Sequence, residues 1–399
     1  MKHSFLRLAL VLGLLSAIGP FAIDMYLPSL PAIGRALQAD THTVQLSLTV
    51  FFLSFALSQV LYGPASDMFG RKAPLYAGIA LFVAGSVGCA LAPDIGTLIA
   101  FRFVQGLGGG APNVITRAVV RDLHTGAEAT RLMSLLMLVF SVSPILAPLA
   151  GSFIVEAAGW PAVFWTVGAI GVLGLGLVAF ALEETRPPAE RHGSGLGSTL
   201  RAFWLLLRDP HFMGMTGVAS LGVAAFFIYL SNSSFVLIEQ YGLTPRQYGL
   251  AFAANAASFI GVSQLTGRLT HRHGLRRVVT VAVAGFALAM VAGAVLHLAG
   301  ATQLATMIAV LMVGFGFLGL VIPTTSVMAL DHHGEIAGAA SALMGMIQMV
   351  AGALVIALMG AVSDGSARPM LVGIAVVAAL TWALAWISLR GEHPAPPAP

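Results

Sequence analysis

Two charged side chains stand where charge is costly. Asp24 lies in FAIDMYLPSLP (21–31), directly after the almost wholly apolar run LALVLGLLSAIGPFA, and Arg102 opens RFVQGLGGG (102–110) inside another apolar stretch. A charge at the centre of a bilayer costs about 2.5–3.5 kcal/mol even on the mildest scale. A carboxyl taken out of water holds its proton, and a guanidinium nearby favours its release. Asp24 therefore has the chemistry of a proton-coupling acid, with Arg102 as an always-charged electrostatic partner. The competing readings are a structural ion pair between two helices, or a cap on a break near Pro28. At 1.5 Å per residue, counting from Leu30 and Ile95, both charges sit about 10 Å below the same end of their helices. That depth lets them meet directly or through water.

Other polar groups keep helical spacing. Gln105, Gly109, Pro112, Asn113 and Thr116 continue the stripe begun by Arg102. Lipid would leave such a stripe unsatisfied, so it faces a wet cavity or protein. Gln105 either orients Arg102, meets substrate or joins helices. Pro144, Pro148 and Gly151, with Ser152, read as a kinked, closely packed hinge. In FFIYLSNSSFVL (226–237), Phe226, Phe227 and Tyr229 offer aromatic area and Asn232 a hydrogen-bonding anchor, the mixture of a binding pocket. The same aromatics also suit a membrane-border belt. Met344 and Gln348 on a later helix, together with Tyr26, complete the candidate substrate contacts. HRH (271–273) and DHHGE (331–335) lack metal-ligand spacing, and no nucleophile elbow, phosphate loop or CxxC is present. The sequence predicts neither an enzyme nor a metal site, and Cys89 reads as a small buried apolar residue.

These residues need a membrane scaffold. The 399-residue chain is 58% hydrophobic and 9% charged, against roughly 25% charged in soluble domains. A spanning helix takes about 20 apolar residues. Apolar runs at 6–28, 43–63, 74–93, 96–118, 131–156, 160–182, 211–232, 246–268, 277–299, 303–330, 336–362 and 369–389 predict an all-α integral membrane protein of twelve transmembrane helices. The basic, apolar N-terminus resembles a signal peptide but reads as an uncleaved first span. Residues 1–182 and 211–390 form two six-helix bundles joined by a cytoplasmic linker at 183–210, and the Pro-rich 391–399 is predicted disordered. With the N-terminus inside, all Lys and Arg except Arg35, Arg102, Arg246 and Arg368 fall on cytoplasmic segments, so both termini are cytoplasmic. The net charge of +4 is spread over short loops and points to no nucleic acid.

An internal repeat supports this plan. GPASDMFGRK (63–72) follows the second span and GRLTHRHGLR (267–276) the eighth; Gly63 and Gly267, Gly70 and Gly274, Lys72 and Arg276 stand at one constant offset. Paired repeats are a transporter architecture.

GPASDMFGRK resembles the G-x-x-x-D-x-x-G-R-[RK] loop of the major facilitator superfamily, filled by Gly63, Asp67, Gly70, Arg71 and Lys72. RFVQGLGGG is similar to the fourth-helix pattern of its drug/proton antiporters, and APLAGS (147–152) to their fifth-helix motif. DMYLPSLP looks like the first helix of the bicyclomycin/chloramphenicol-resistance (Bcr/CflA) exporters. The resemblance implies the major facilitator fold, with Asp67 helping to latch its halves; chemically, Asp67 suits a neighbouring helix N-terminus. It implies a proton-coupled multidrug efflux antiporter of the bacterial inner membrane, monomeric, using the proton gradient and no cofactor. It would export small, mostly hydrophobic antimicrobial compounds by alternating access. An exporter of an endogenous metabolite such as an amino acid is the alternative.

Overall fold

The computed structural model describes residues 2–124, 126–188, 191, 196–300, 303–331 and 333–390, so the tail at 391–399 lies outside it. Among the described residues all regular structure is helical: α1 (Lys2–Asp24), α2 (Leu30–Ala36), α3 (Thr41–Phe69), α4 (Lys72–Ala90), α5 (Ile95–Leu123), α6 (Gly126–Ala158), α7 (Trp160–Phe180), α8 (Leu196–Leu207), α9 (Pro210–Ser234), α10 (Pro245–Ser263), α11 (Thr266–His273), α12 (Leu275–Leu298), α13 (Leu304–Leu330), α14 (Ala337–Val362) and α15 (Ala367–Arg390). With α1 and α2 as one interrupted span, and the short α8 and α11 set aside, these are the twelve helices of a polytopic membrane protein. Nine described helical segments are long and apolar enough to cross a membrane by length and composition. α5 is not among them, because Arg102, Gln105 and the glycines that follow make it too polar.

Short polar residues start several helices. The Asp40 side chain accepts from the Thr43 amide at the head of α3, and Asp94 does the same for Thr97 at the head of α5, both at 2.8 Å. The two repeat loops share one special backbone position. Gly70 has φ +84° and ψ 171°, and Gly274 has φ +80° and ψ 151°, a left-handed region that glycine enters without strain.

The first span departs from the sequence expectation. It does not end at 28: the apolar segment continues over Phe5–Ala36. α1 stops at Asp24, a tight turn covers Leu27–Ser29, and α2 resumes at Leu30. Pro28 and Pro31 stand at the first positions of the two new segments, where a missing amide costs nothing. Asp24 thus lies at a break inside the span. Two polar stretches are also more ordered than expected. The linker contains amphipathic α8, which buries Phe203 and Leu206 and exposes Leu200 and Trp204. Most of GRLTHRHGLR is the short helix α11 rather than a loop.

By contacts the chain forms two compact units. The first comprises Met1–Ser198, Leu230–Ala254 and Ala353–Ser366; the second comprises Thr199–Tyr229, Asn255–Gly352 and Ala367–Pro399. Within the first, α5 packs most closely on α3 and α4. A Cβ on Gly106 would run into Ser54 and the Phe51 carbonyl, and one on Gly108 into the Gly78 carbonyl and the Phe82 amide. The glycines after Gln105 therefore serve close approach, and they hold Arg102 and Gln105 against both neighbours. In the same unit Gln45 Nε2 donates to the Ser231 carbonyl (3.0 Å) and Asn232 Oδ1 (3.1 Å), and Ser363 donates to that Oδ1 (3.0 Å). In the second unit Phe226, Tyr229, Phe259 and Phe315 form an aromatic core.

Because the Gly108 clash is with backbone, Gly108→Val should cost about 3 kcal/mol or more and abolish recovery of monodisperse protein from membranes. Gly176→Ala, on an open face, should be recovered like the parent chain.

Candidate functional site

The break after Asp24 organises the site. The Tyr26 amide bonds to the Ile23 carbonyl (3.3 Å) instead of reaching back to Ala22, as a continuing helix would. The freed Ala22 carbonyl accepts from Arg102 Nη1 at 3.3 Å. That nitrogen also donates to Gln105 Oε1 (2.6 Å), and Gln105 Nε2 donates to Ser86 Oγ (2.8 Å), which fixes the amide's orientation. The guanidinium carbon lies 4.4 Å from the Tyr26 ring centre and 4.1 Å from that of Phe51. Tyr26 is anchored by a 2.7 Å bond from its hydroxyl to Ser47 Oγ. Arg102 is fully buried, and these dipoles and ring faces replace part of its lost hydration. Its Nε and Nη2 have no hydrogen-bond partner among the described residues.

Asp24 is 6% exposed. Among the described residues its carboxyl makes no ion pair and no side-chain hydrogen bond, so neither a pair with Arg102 nor a cap on the break is present. The two charges are linked through one backbone element instead: Asp24 ends the helix whose interruption supplies the Ala22 carbonyl.

The rest of the α5 stripe meets protein. Thr116 Oγ1 bonds Ser16 of α1 (2.9 Å), and Asn113 Oδ1 accepts from Arg117 (3.2 Å). On α6, Pro144 and Pro148 sit inside an unbroken helix; Ser152 donates to the Pro148 carbonyl (2.7 Å), and Gly151 abuts the Met25 backbone. Gly249 of α10 lies against Ser152 and the Pro148 carbonyl.

The candidate substrate residues divide between the units. Tyr26, Gln105, Asn113 and Asn232 belong to the first, and Phe226, Phe227, Tyr229, Met344 and Gln348 to the second. Tyr229 is buried, with Asn255 donating to its hydroxyl (2.9 Å), and Phe227 packs on Gly352. Met344 and Gln348 are half-buried. Asn232 is enclosed with Gln45 and Ser363. His333 pairs with Asp209 (2.8 Å).

The GPASDMFGRK loop is a dense ionic knot in the first unit. Arg71 donates through Nε and Nη2 to both carboxylate oxygens of Asp122 (2.7 and 2.9 Å), and through Nη1 to Asp67 (2.7 Å) and Ser66 (2.8 Å). Asp67 also accepts from Arg186 (3.0 Å). Its partners are thus two arginines rather than the expected helix N-terminus. Glu184 accepts from the amides of Arg71 (2.8 Å) and Lys72 (3.1 Å), and a Cβ on Gly70 would strike it and Arg191. Lys72 contributes its backbone here. Asp122, Glu184, Phe51 and Ser86 had no motif signal; only their place in the packed helices brings them to the site.

Broken first span, paired-repeat loops and a buried acid and base on neighbouring helices define a transporter rather than an enzyme. The chain belongs to the Major Facilitator Superfamily, whose profile matches residues 12–356. It is 36% identical to an uncharacterized MFS-type transporter, YdgK, of Bacillus subtilis (strain 168), over 97% of this chain and 96% of that one. It is 31% identical to the bicyclomycin resistance protein homolog of Haemophilus influenzae (93% and 92% covered) and 29% identical to the multidrug resistance protein MdtL of Escherichia coli O17:K52:H18 (90% and 90%). In fold it matches a D-xylose–proton symporter at a TM-score of 0.73 (16% identity; 94% and 97% covered). It also matches the human organic anion transporter MFSD10 at 0.70 (17% identity; 97% and 99% covered).

Lysine lacks the planar guanidinium that lies close to both rings, so Arg102→Lys should lower stability by about 2 kcal/mol, read as earlier thermal unfolding in detergent. An unchanged midpoint contradicts a stabilising contact between the guanidinium and these rings. Burial pushes the Glu184 carboxyl up, but the amides of Arg71, Arg186 and Lys72 and the Arg191 charge outweigh it and hold it below its ordinary 4.5. Its contribution is therefore complete above that value and is lost as pH falls through the lowered one. Amide exchange at Arg71 and Lys72, corrected for intrinsic rates, should rise on acidification in the parent chain. In Glu184→Gln it should be high throughout.

Proposed function

We propose that this protein is a proton-coupled antiporter exporting small, mostly hydrophobic antimicrobial compounds across the bacterial inner membrane by alternating access. The observation that carries the reading is Asp24: a buried carboxyl at the break of the first span, unpaired among the described residues, two residues after the carbonyl that holds Arg102. In the proposed cycle the acid carries its proton while it is buried and unpaired. Loss of the proton creates a buried charge that must find a counter-charge or water. Arg102, whose Nη1 reaches the Ala22 carbonyl of that turn and whose Nε and Nη2 are unbonded among the described residues, is the counter-charge. Its shift away from the Ala22 carbonyl would loosen the turn and so couple protonation to the shape of the span.

The substrate class rests on the bicyclomycin- and multidrug-resistance relatives. Tyr26, Gln105, Asn113, Phe226, Phe227, Tyr229, Asn232, Met344 and Gln348 are the proposed contacts, and Pro144, Pro148 and Gly151 the hinge. The positive-inside distribution supports cytoplasmic termini, and the Arg71 knot is the proposed latch of one conformation. The inward proton force includes about 2.3 kcal/mol per charge per 100 mV, and the protein acts as a monomer without cofactor.

Asp24→Asn should leave folded protein in the membrane but reduce drug-driven proton release from proteoliposomes, and drug resistance of cells, to the level without transporter. Undiminished proton-driven export in that variant overturns the assignment.

A further inference from the structure

We infer that the second unit carries an anion site for the phosphate of an acidic phospholipid, where α12 begins and α15 ends. A cavity of about 190 Å³ there is lined by Arg276, Arg390, Trp382 and Trp386, with Val283 and Ala385 extending it along the helices, and no acidic residue lines it among the described residues. Both arginines are already positioned. Arg276 donates through Nη2 to the Leu389 carbonyl (2.6 Å), completing the C-terminal turn of α15. The guanidinium of Arg390 stacks 4.0 Å over the Trp386 ring. Ordering these long side chains has thus been met in part before any ligand arrives.

The shape selects a lipid over a free ion. Trp382 and Trp386 are about half exposed, both on α15, a helix long and apolar enough to cross a membrane. Tryptophan favours that position at the headgroup level. Two cationic forks at the rim meet a phosphate, while the apolar wall of Val283, Ala385 and the indoles continues along the membrane for an acyl chain. Basic pockets between spanning helices bind anionic headgroups in this way. Arg268, Arg272 and Arg277 lie close by in the chain and add to the local positive field. None of the transport residues takes part, so the site would tune stability or activity by membrane composition.

The test is native mass spectrometry and thermal unfolding of the full-length protein, delipidated and then supplied with phosphatidylglycerol, phosphatidylcholine or inorganic phosphate. Phosphatidylglycerol should be retained and raise the unfolding midpoint, and phosphatidylcholine should not. Arg390→Gln, which leaves the Arg276 cap intact, should weaken retention about fivefold, as should Arg276→Gln. Equal retention of the two lipids, or full retention of phosphatidylglycerol by Arg390→Gln, overturns the site. A midpoint shift from inorganic phosphate alone equal to that from phosphatidylglycerol assigns it to a free anion and overturns the lipid reading. If Arg276→Gln does not fold, Arg390→Gln alone decides.

Discussion

A single interrupted turn in the first span governs the surroundings of both buried charges. Where α1 stops at Asp24, the Ala22 carbonyl loses its helical partner and Tyr26 swings its ring onto the guanidinium of Arg102. An intact helix would offer neither the carbonyl nor the ring in that place. Pro28 and Pro31 keep the interruption open, since neither can supply the amide that a continuous helix needs. Among the described residues Arg102 is thereby kept in the bundle without a carboxylate beside it, and Asp24 is kept there without a cation. Each is costly alone, and the arrangement leaves them free to respond to one another.

The two sequence repeats share a backbone and differ in charge chemistry. Gly70 and Gly274 take the same left-handed turn. Around the first, Arg71 binds Asp67, Asp122 and Ser66, and Glu184 takes two amides. The second copy has His271 and Leu275 at the positions of Asp67 and Arg71, so the same knot has no ligands there. A turn repeated for its geometry has been given a fixed ionic centre on one side only.

Much of this was legible in the chain. The apolar runs marked the helices, because a bilayer demands length and hydrophobicity from each span. Asp24 and Arg102 stood out because charge within such runs is rare. The limit came where side chains cross between helices. Pro28 read as the end of the first span, yet the helix resumes to Ala36, since proline at a new first turn is tolerated. Phe51 under Arg102, Ser86 beneath Gln105 and Asp122 on Arg71 lie far apart in sequence, and their meeting depends on the close approach that Gly106 and Gly108 allow. Asn232 read as a pocket anchor, and the bonds that Gln45 and Ser363 make to its amide oxygen follow from packing register alone.

The central claim is that the carboxyl at position 24 gives up a proton when substrate engages the protein. Isotope-edited infrared difference spectroscopy, with labelled aspartate and with drug added to the reconstituted transporter, observes that group directly. A protonated-carboxyl band should be lost on drug addition and be missing from the Asp24→Asn protein. A difference spectrum without such a band, or with the same band in Asp24→Asn, would contradict it.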